Sequence, residues 1–267
     1  MSASVRIDAG SVVATIETAS ARVDDDLAAS QVGPTPVNVH RRPIWLFDLD
    51  DTLHDAGRAV MGELREAMQR YMQRELALTP ESADALRQRY FKRYGATLLG
   101  LVRHHGVKAA HFLHDTHRLP GLEARVSGHR HDFAALARLP GRKLVLTNAP
   151  RTYALRVLRA LRIEHLFDGV ITIEQMAMFG RLRPKPDARM LRALCARLRV
   201  APGRCVLVED TLAHQKAARR VGLRTVWLQR YWRRSAGTAR RWAGRPPYVD
   251  HRLLGLRLLR RVVGAAR

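Results

Sequence analysis

Ile44-Trp45-Leu46-Phe47-Asp48-Leu49-Asp50-Asp51-Thr52 is the most telling segment of the chain. Four apolar residues run without interruption and stop abruptly at a carboxylate. A half-solvated strand would alternate apolar and polar residues; an unbroken run reads as a strand buried on both faces, as in a parallel sheet. Similar segments recur at 143–147, 169–173, 204–208 and 225–228, and helical patterns fill 150–161, 187–198 and 211–221. Strands alternating with amphipathic helices predict an α/β fold built on a doubly wound, mostly parallel sheet.

Between the first two strands that rhythm breaks. Residues 58–139 read as helical, with Val60, Leu64, Met68, Tyr71 and Met72 on one face and further helices expected at 82–94 and 98–105. Some eighty residues are too many for an ordinary crossover. They predict an inserted helical cap subdomain over the carboxyl edge of a core made of 41–57 and 140–267. Residues 1–40, poor in long apolar side chains and ending near Gly33-Pro34-Thr35-Pro36, read as a flexible extension. From about residue 230 the chain is an arginine-rich tail, with eleven arginines and one acidic residue over 229–267. A short strand is expected there at 248–249 and a helix from Arg252.

The 267 residues can bury a substantial core, and a hydrophobic share of 46% excludes global disorder. No run approaches the roughly 18 apolar residues of a membrane span, and no secretory pattern is present, so a soluble, cytoplasmic protein is expected. Cys195 and Cys205 cannot build a disulfide framework and read as small buried hydrophobes. The net charge of +23 favours anionic partners. Only five basic residues are lysines; the other 42 are arginines spread along every expected helix, which reads as decoration of solvated faces.

Every distinctive polar group falls at a strand's carboxyl end, where open α/β sheets bind ligands. The first strand delivers Asp48, Asp50 and Thr52, the second Thr147 and Asn148, and a later one Glu209-Asp210; Lys185 sits in Arg183-Pro184-Lys185-Pro186 before a helix. Those types suit phosphoryl transfer through a covalent aspartyl intermediate. A carboxylate can attack phosphorus, a hard cation such as Mg²⁺ must bridge the two anions, and lysine, hydroxyl and amide donors offset charge on the phosphate oxygens. A second carboxylate two residues along can protonate the leaving group and then deprotonate water.

At these residues the chain resembles the haloacid dehalogenase superfamily of phosphohydrolases: Asp48-x-Asp50-x-Thr52 matches its first motif, Thr147 its second, Lys185 its third and Glu209-Asp210 its fourth. The resemblance implies Asp48 as nucleophile and Asp50 as general acid/base. It implies phosphate held by Thr147, Asn148 and Lys185, and Mg²⁺ held by Asp48, the Asp50 carbonyl and Asp210, with Glu209 adjacent or sharing. Within the superfamily the chain is similar to the pyrimidine 5′-nucleotidase group, through Tyr94-Gly95-Ala96-Thr97-Leu98-Leu99-Gly100-Leu101 followed by His104-His105 in the cap, and through Thr147-Asn148-Ala149. That likeness implies a pyrimidine nucleoside 5′-monophosphate as substrate, contacted by Tyr94, Thr97, His104 and His105. Thr211-Leu212-Ala213-His214 departs from the group, where acidic or amide residues are common.

Blander readings exist for each motif. Asp48–Thr52 spaces its carboxylates like a calcium loop, but Leu53 stands where that loop needs glycine. His104, His105, His111, His114 and His117 invite a zinc site, without the Cys or His-Glu pairing that would support one. The competing functions are a sugar-phosphate phosphatase or phosphomutase and, from a different class, a nucleic-acid-binding protein on a residual hydrolase fold. The charge leaves nucleic acid open as a partner, although no binding module is recognisable. The expected partner is a small phosphorylated metabolite; oligomeric state is not encoded legibly.

Overall fold

The computed structural model describes residues 42–231 and 244–264. The expected extension at 1–40 and the stretch 232–243 of the arginine-rich tail lie outside them.

Six strands form one sheet in the order β3-β2-β1-β6-β7-β8, every neighbouring pair parallel. They are β1 Ile44–Phe47, β2 Arg142–Leu146, β3 Gly169–Ile171, β6 Cys205–Glu209, β7 Arg224–Leu228 and β8 His251–Leu253. A separate two-stranded hairpin pairs β4 Ala177–Met178 with β5 Arg181–Leu182. β1 is central, and its residues alternate between two cores because successive side chains leave a strand on opposite faces. Trp45 and Phe47 point to one face, with Val145, Val208 and Val226, beneath α8 (Arg151–Ala160). Ile44 and Leu46 point to the other, with Leu144 and Leu207, beneath α9 (Ala188–Arg197) and α10 (Leu212–Val221). Cys195 and Cys205 lie buried in this second core, free, with sulfurs 4.0 Å apart.

The expected terminal elements shift. Pro247 and Tyr248 form a turn, closed by the Val249 amide on the Pro246 carbonyl, and β8 starts at His251. Asp250 precedes the strand: its carboxylate accepts the Thr225 amide and hydroxyl, and pairing with β7 begins at the next residue, His251 opposite Val226. The helix expected from Arg252 is instead α11, Arg260–Gly264.

The insertion contains α1 Ala56–Ala59, α2 Met61–Leu76, α3 Pro80–Tyr94, α4 Thr97–His105, α5 Ala109–Thr116, α6 Leu122–Arg125 and α7 Arg130–Ala137. Its packing divides in two. Tyr71, Met72, Leu86, Tyr90, Leu101 and Phe112 build a further core among α2–α5, which Ile173 joins from the segment after β3. Leu122 and Leu136, from α6 and α7, join the sheet core with Trp45 and Phe47 instead. Entry and exit are tied where the Asp55 amide donates to the Ser127 carbonyl, 3.1 Å.

The sequence pattern of α3 and α4 explains itself here. Gly95 ends α3 at φ 77°, a left-handed conformation suited to glycine, and a Cβ there would come within 3.0 Å of Pro186. The insertion therefore rests against the residue following Lys185. Gly100 lies flat against the Tyr90 ring, which an added Cβ would penetrate at 2.1 Å.

Candidate active site

Chain order reverses direction at β1: β2 and β3 build outward on one side, β6, β7 and β8 on the other. Loops leaving the carboxyl ends of β1, β2 and β6 diverge there and leave a crevice, the switch point at which such sheets bind ligands. Asp48 follows β1, Thr147 follows β2 and Glu209 closes β6.

Lys185 joins two of these ends. Almost wholly buried, it donates through Nζ to Asp48 Oδ1 at 2.6 Å and to Glu209 Oε2 at 2.7 Å. Its backbone is clasped by Asn148, whose Nδ2 donates to the Lys185 carbonyl and whose Oδ1 accepts its amide, both at 2.9 Å. Asn148, expected at the phosphate, thus spends both ends of its amide on placing Lys185. Thr147 is buried and its Oγ1 accepts the Ala149 amide, 3.1 Å.

Asp48, Glu209 and Asp210 bring carboxylate oxygens within 4.8 Å of one another. One ammonium cannot neutralise three clustered carboxylates, two of them buried. Burial, then repulsion from Glu209, pushes Asp48 well above the usual carboxylate range against the pull of Lys185; burial and the charges of Glu209 and Asp48 do the same to Asp210. Glu209 is held low despite its burial by Lys185 and His214, whose Nδ1 lies 3.1 Å from Oε2. This uncompensated negative charge, presented only by hard oxygen donors, fits a divalent cation of the Mg²⁺ type. Asp48 and Asp210 are the carboxylates available to it. Both oxygens of Glu209 are engaged, Oε1 accepting the Thr211 amide at 3.2 Å and Oε2 meeting Lys185 and His214.

Asp50 points elsewhere. Its Oδ1 accepts from His54 Nε2 at 2.8 Å and from the Tyr153 hydroxyl at 2.7 Å. These donors hold its carboxyl below the ordinary range although burial opposes them. Thr52 is buried, its hydroxyl without a partner among the described residues.

The residues of the helical insertion expected to meet the substrate form a separate group. Tyr94 and His104 share a hydrogen bond of 2.6 Å, and Tyr90 and His105 one of 2.8 Å, with Tyr90 stacked on the His104 ring. Thr97 is buried and donates to the Arg87 carbonyl, a bond that pins α4 to α3.

Sequence reading missed the residues that hold these groups. Gln215 donates from Nε2 to the carbonyls of Glu209 and Val226, and Trp227 Nε1 to the Asp210 carbonyl, so the Glu209-Asp210 corner is braced from α10 and β7. Nothing in spacing marks them; His54, four residues after Asp50, was the one local signal.

These features define an α/β protein whose clustered carboxylates sit at the carboxyl edge of its sheet beside a helical insertion. The family model described as haloacid dehalogenase-like hydrolase matches residues 44–222, and the chain belongs to that family. Among curated relatives it is 25% identical over 140 residues to phosphate metabolism protein 8 of Saccharomyces cerevisiae, covering 48% of this chain and 43% of that one. It is 34% identical over 84 residues to validoxylamine A 7′-phosphate phosphatase of Streptomyces hygroscopicus, covering 32% and 37%. Each match thus spans less than half of the relative's length. The fold matches a HAD phosphatase structure from Thermococcus onnurineus with a TM-score of 0.56 at 20% identity, covering 83% of this chain and 98% of that one. It also matches YfnB of Bacillus subtilis, a HAD-hydrolase structure bound to magnesium, at 0.52 and 16%, covering 84% and 99%. No helix among the described residues is long and apolar enough to cross a membrane.

Proposed function

We propose that the protein is a Mg²⁺-dependent phosphomonoesterase acting through an aspartyl phosphate on Asp48. The observation that carries this reading is the buried Lys185 bridging Asp48 and Glu209 at the carboxyl edge of the sheet, with Asp210 alongside. Asp48, Asp210 and the Asp50 carbonyl would hold the cation, which when bound supplies charge neutralisation between nucleophile and phosphate. Lys185 does two jobs. It orients the attacking carboxylate by hydrogen bonding Oδ1, and it brings a fixed positive charge to the oxyanions of the transferring group.

In the first step an Asp48 oxygen bonds to phosphorus as the ester P–O bond breaks, and the departing oxygen takes the proton of Asp50 in its acid form, which the negative charge of the bound phosphate favours against the donors on Oδ1. In the second, the Asp50 carboxylate takes a proton from water as its oxygen bonds to phosphorus and the P–O bond to Asp48 breaks, releasing phosphate. Thr147 lines the phosphate side of the crevice. Asn148 serves it through the Lys185 backbone.

For the substrate, we favour a pyrimidine nucleoside 5′-monophosphate. Support comes from the cap pattern and from the Tyr94–His104 pair, half-buried and exposed respectively, whose rings and ring nitrogens suit a small base. Thr97 contributes by holding α4 in place. A second reading, a phosphorylated sugar-like alcohol, is favoured by the 34% identical relative named as validoxylamine A 7′-phosphate phosphatase. A panel of UMP, CMP, AMP, GMP, hexose phosphates and p-nitrophenyl phosphate, with and without Mg²⁺, tests both. The first reading expects higher kcat/KM on UMP or CMP; preference for hexose phosphates supports the second. Loss of all turnover in Asp48→Asn is expected, and retained turnover in that variant overturns the covalent mechanism.

A further inference from the structure

The proton-transfer group of the reading above is itself held by a device that no motif records. Asp50 Oδ1 receives two donors from separate elements: His54, in the loop after β1, and Tyr153, on α8. Oδ1 accepts both bonds whether Asp50 is ionised or carries the acid proton on Oδ2, so the proton on each bond belongs to His54 Nε2 and to the phenol. His54 is fully buried and, among the described residues, its Nδ1 has no partner, so Nε2 is the ring nitrogen that makes the hydrogen bond. Tyr153 is 1% exposed, and its ring packs against those of His54 and His117. Neither donor can swing away without breaking core packing. Among the described residues no donor is recorded on Oδ2, and the Asp50 side chain keeps 23% exposure.

We infer that His54 and Tyr153 are positioning residues that clamp Oδ1 of Asp50 so that Oδ2 alone faces the leaving group. Two buried bonds to one oxygen fix the rotation of the carboxyl group about its Cβ–Cγ axis, which a single bond would leave free. A misoriented acid fails where the leaving oxygen needs its proton during bond cleavage. It matters little where that oxygen departs readily as an anion.

This inference rests on the phosphomonoesterase reading, and the test separates the two. Wild type, Tyr153→Phe, His54→Leu, His54→Gln and Asp50→Asn are assayed with Mg²⁺ on p-nitrophenyl phosphate, a good leaving group, and on an alkyl phosphate, a poor one. Thermal unfolding of each variant is followed in parallel. For Tyr153→Phe and His54→Leu the expected result is a fall of about 10- to 100-fold in kcat on the alkyl ester, with KM kept, and at most a few-fold loss on the aryl ester, the same selectivity as in Asp50→Asn. His54→Gln, whose amide nitrogen can stand where Nε2 does, recovers most of the alkyl turnover. Equal losses on both esters in Tyr153→Phe, or alkyl turnover unchanged in it, overturn the positioning role while leaving the phosphomonoesterase reading intact. A wild type inert on both esters overturns that reading, and this inference with it. Should His54→Leu fail to fold, Tyr153→Phe decides the question, since it removes one oxygen and keeps the ring.

Discussion

Lys185 shows how much one side chain can carry. It is 1% exposed, and its ammonium is tolerated there only because two carboxylates accept from it; their pull, outweighing the cost of burial, raises its pKa further above the ordinary lysine value. Lys185→Met keeps length but leaves Asp48 and Glu209 buried without their cation. Urea denaturation is expected to show a loss of about 3–5 kcal/mol, the usual cost of removing one partner of a buried ion pair. A variant as stable as wild type would mean that other groups neutralise the pair. His117 makes an opposite case. Burial lowers its pKa from 6.5 to about 4, so the folded protein keeps it neutral where the unfolded chain would charge it. Between pH 6.5 and 4 the unfolded state binds the extra proton, and stability falls as pH drops through that window. Above it the residue has no pH-dependent effect. His117→Gln is expected to flatten the acid side of the unfolding profile across those pH values, read from denaturation midpoints at each pH.

At the scale of elements, the α3–α4 pair depends on close approach. Gly100 is a site where any side chain must displace the Tyr90 ring, so Gly100→Ala is expected to cost about 1–3 kcal/mol, in the range of overpacked cores. Gly62, in α2, has nothing within 4 Å of the Cβ it lacks. There Gly62→Ala is expected to stabilise by up to about 1 kcal/mol through helix propensity alone. Opposite signs for the two substitutions in thermal unfolding would establish that packing against Tyr90, and not helix preference, selects glycine at position 100. The Gly95 contact with Pro186 has a functional side. It sets the insertion beside Lys185, and the Tyr94–His104 pair begins one residue earlier.

For the whole molecule, the excess of carboxylates at the sheet edge ties activity and stability to a cation. EDTA is expected to abolish turnover and Mg²⁺ to restore it, with Ca²⁺ a poor substitute because it favours looser, larger coordination. Mg²⁺ should also raise the unfolding temperature of wild type, because binding to the folded state alone adds stability, and Asp210→Asn should blunt that rise. Turnover undiminished in chelator would refute the cation site.

Much of this was legible along the chain. The unbroken apolar runs ending in carboxylates determined a parallel sheet, because only a strand covered on both faces has no use for polar alternation. The order of Asp48, Thr147, Lys185 and Glu209 determined which strand ends meet, because a doubly wound sheet collects its carboxyl ends on one edge. The helical insertion was legible from length and periodicity. How those groups are divided among roles emerges only once the elements pack. Asn148 turns to the Lys185 backbone, Thr97 to the Arg87 carbonyl, Glu209 to Lys185, and Asp50 to His54 and Tyr153. Tyr153 stands 103 residues from Asp50, and Trp227 stands 17 from the carbonyl that it braces. Local pattern encodes which face of an element is buried, since that depends on a period of two or 3.6 residues. Which donor reaches which acceptor depends on distances between elements brought together by packing, and no spacing within the chain carries that.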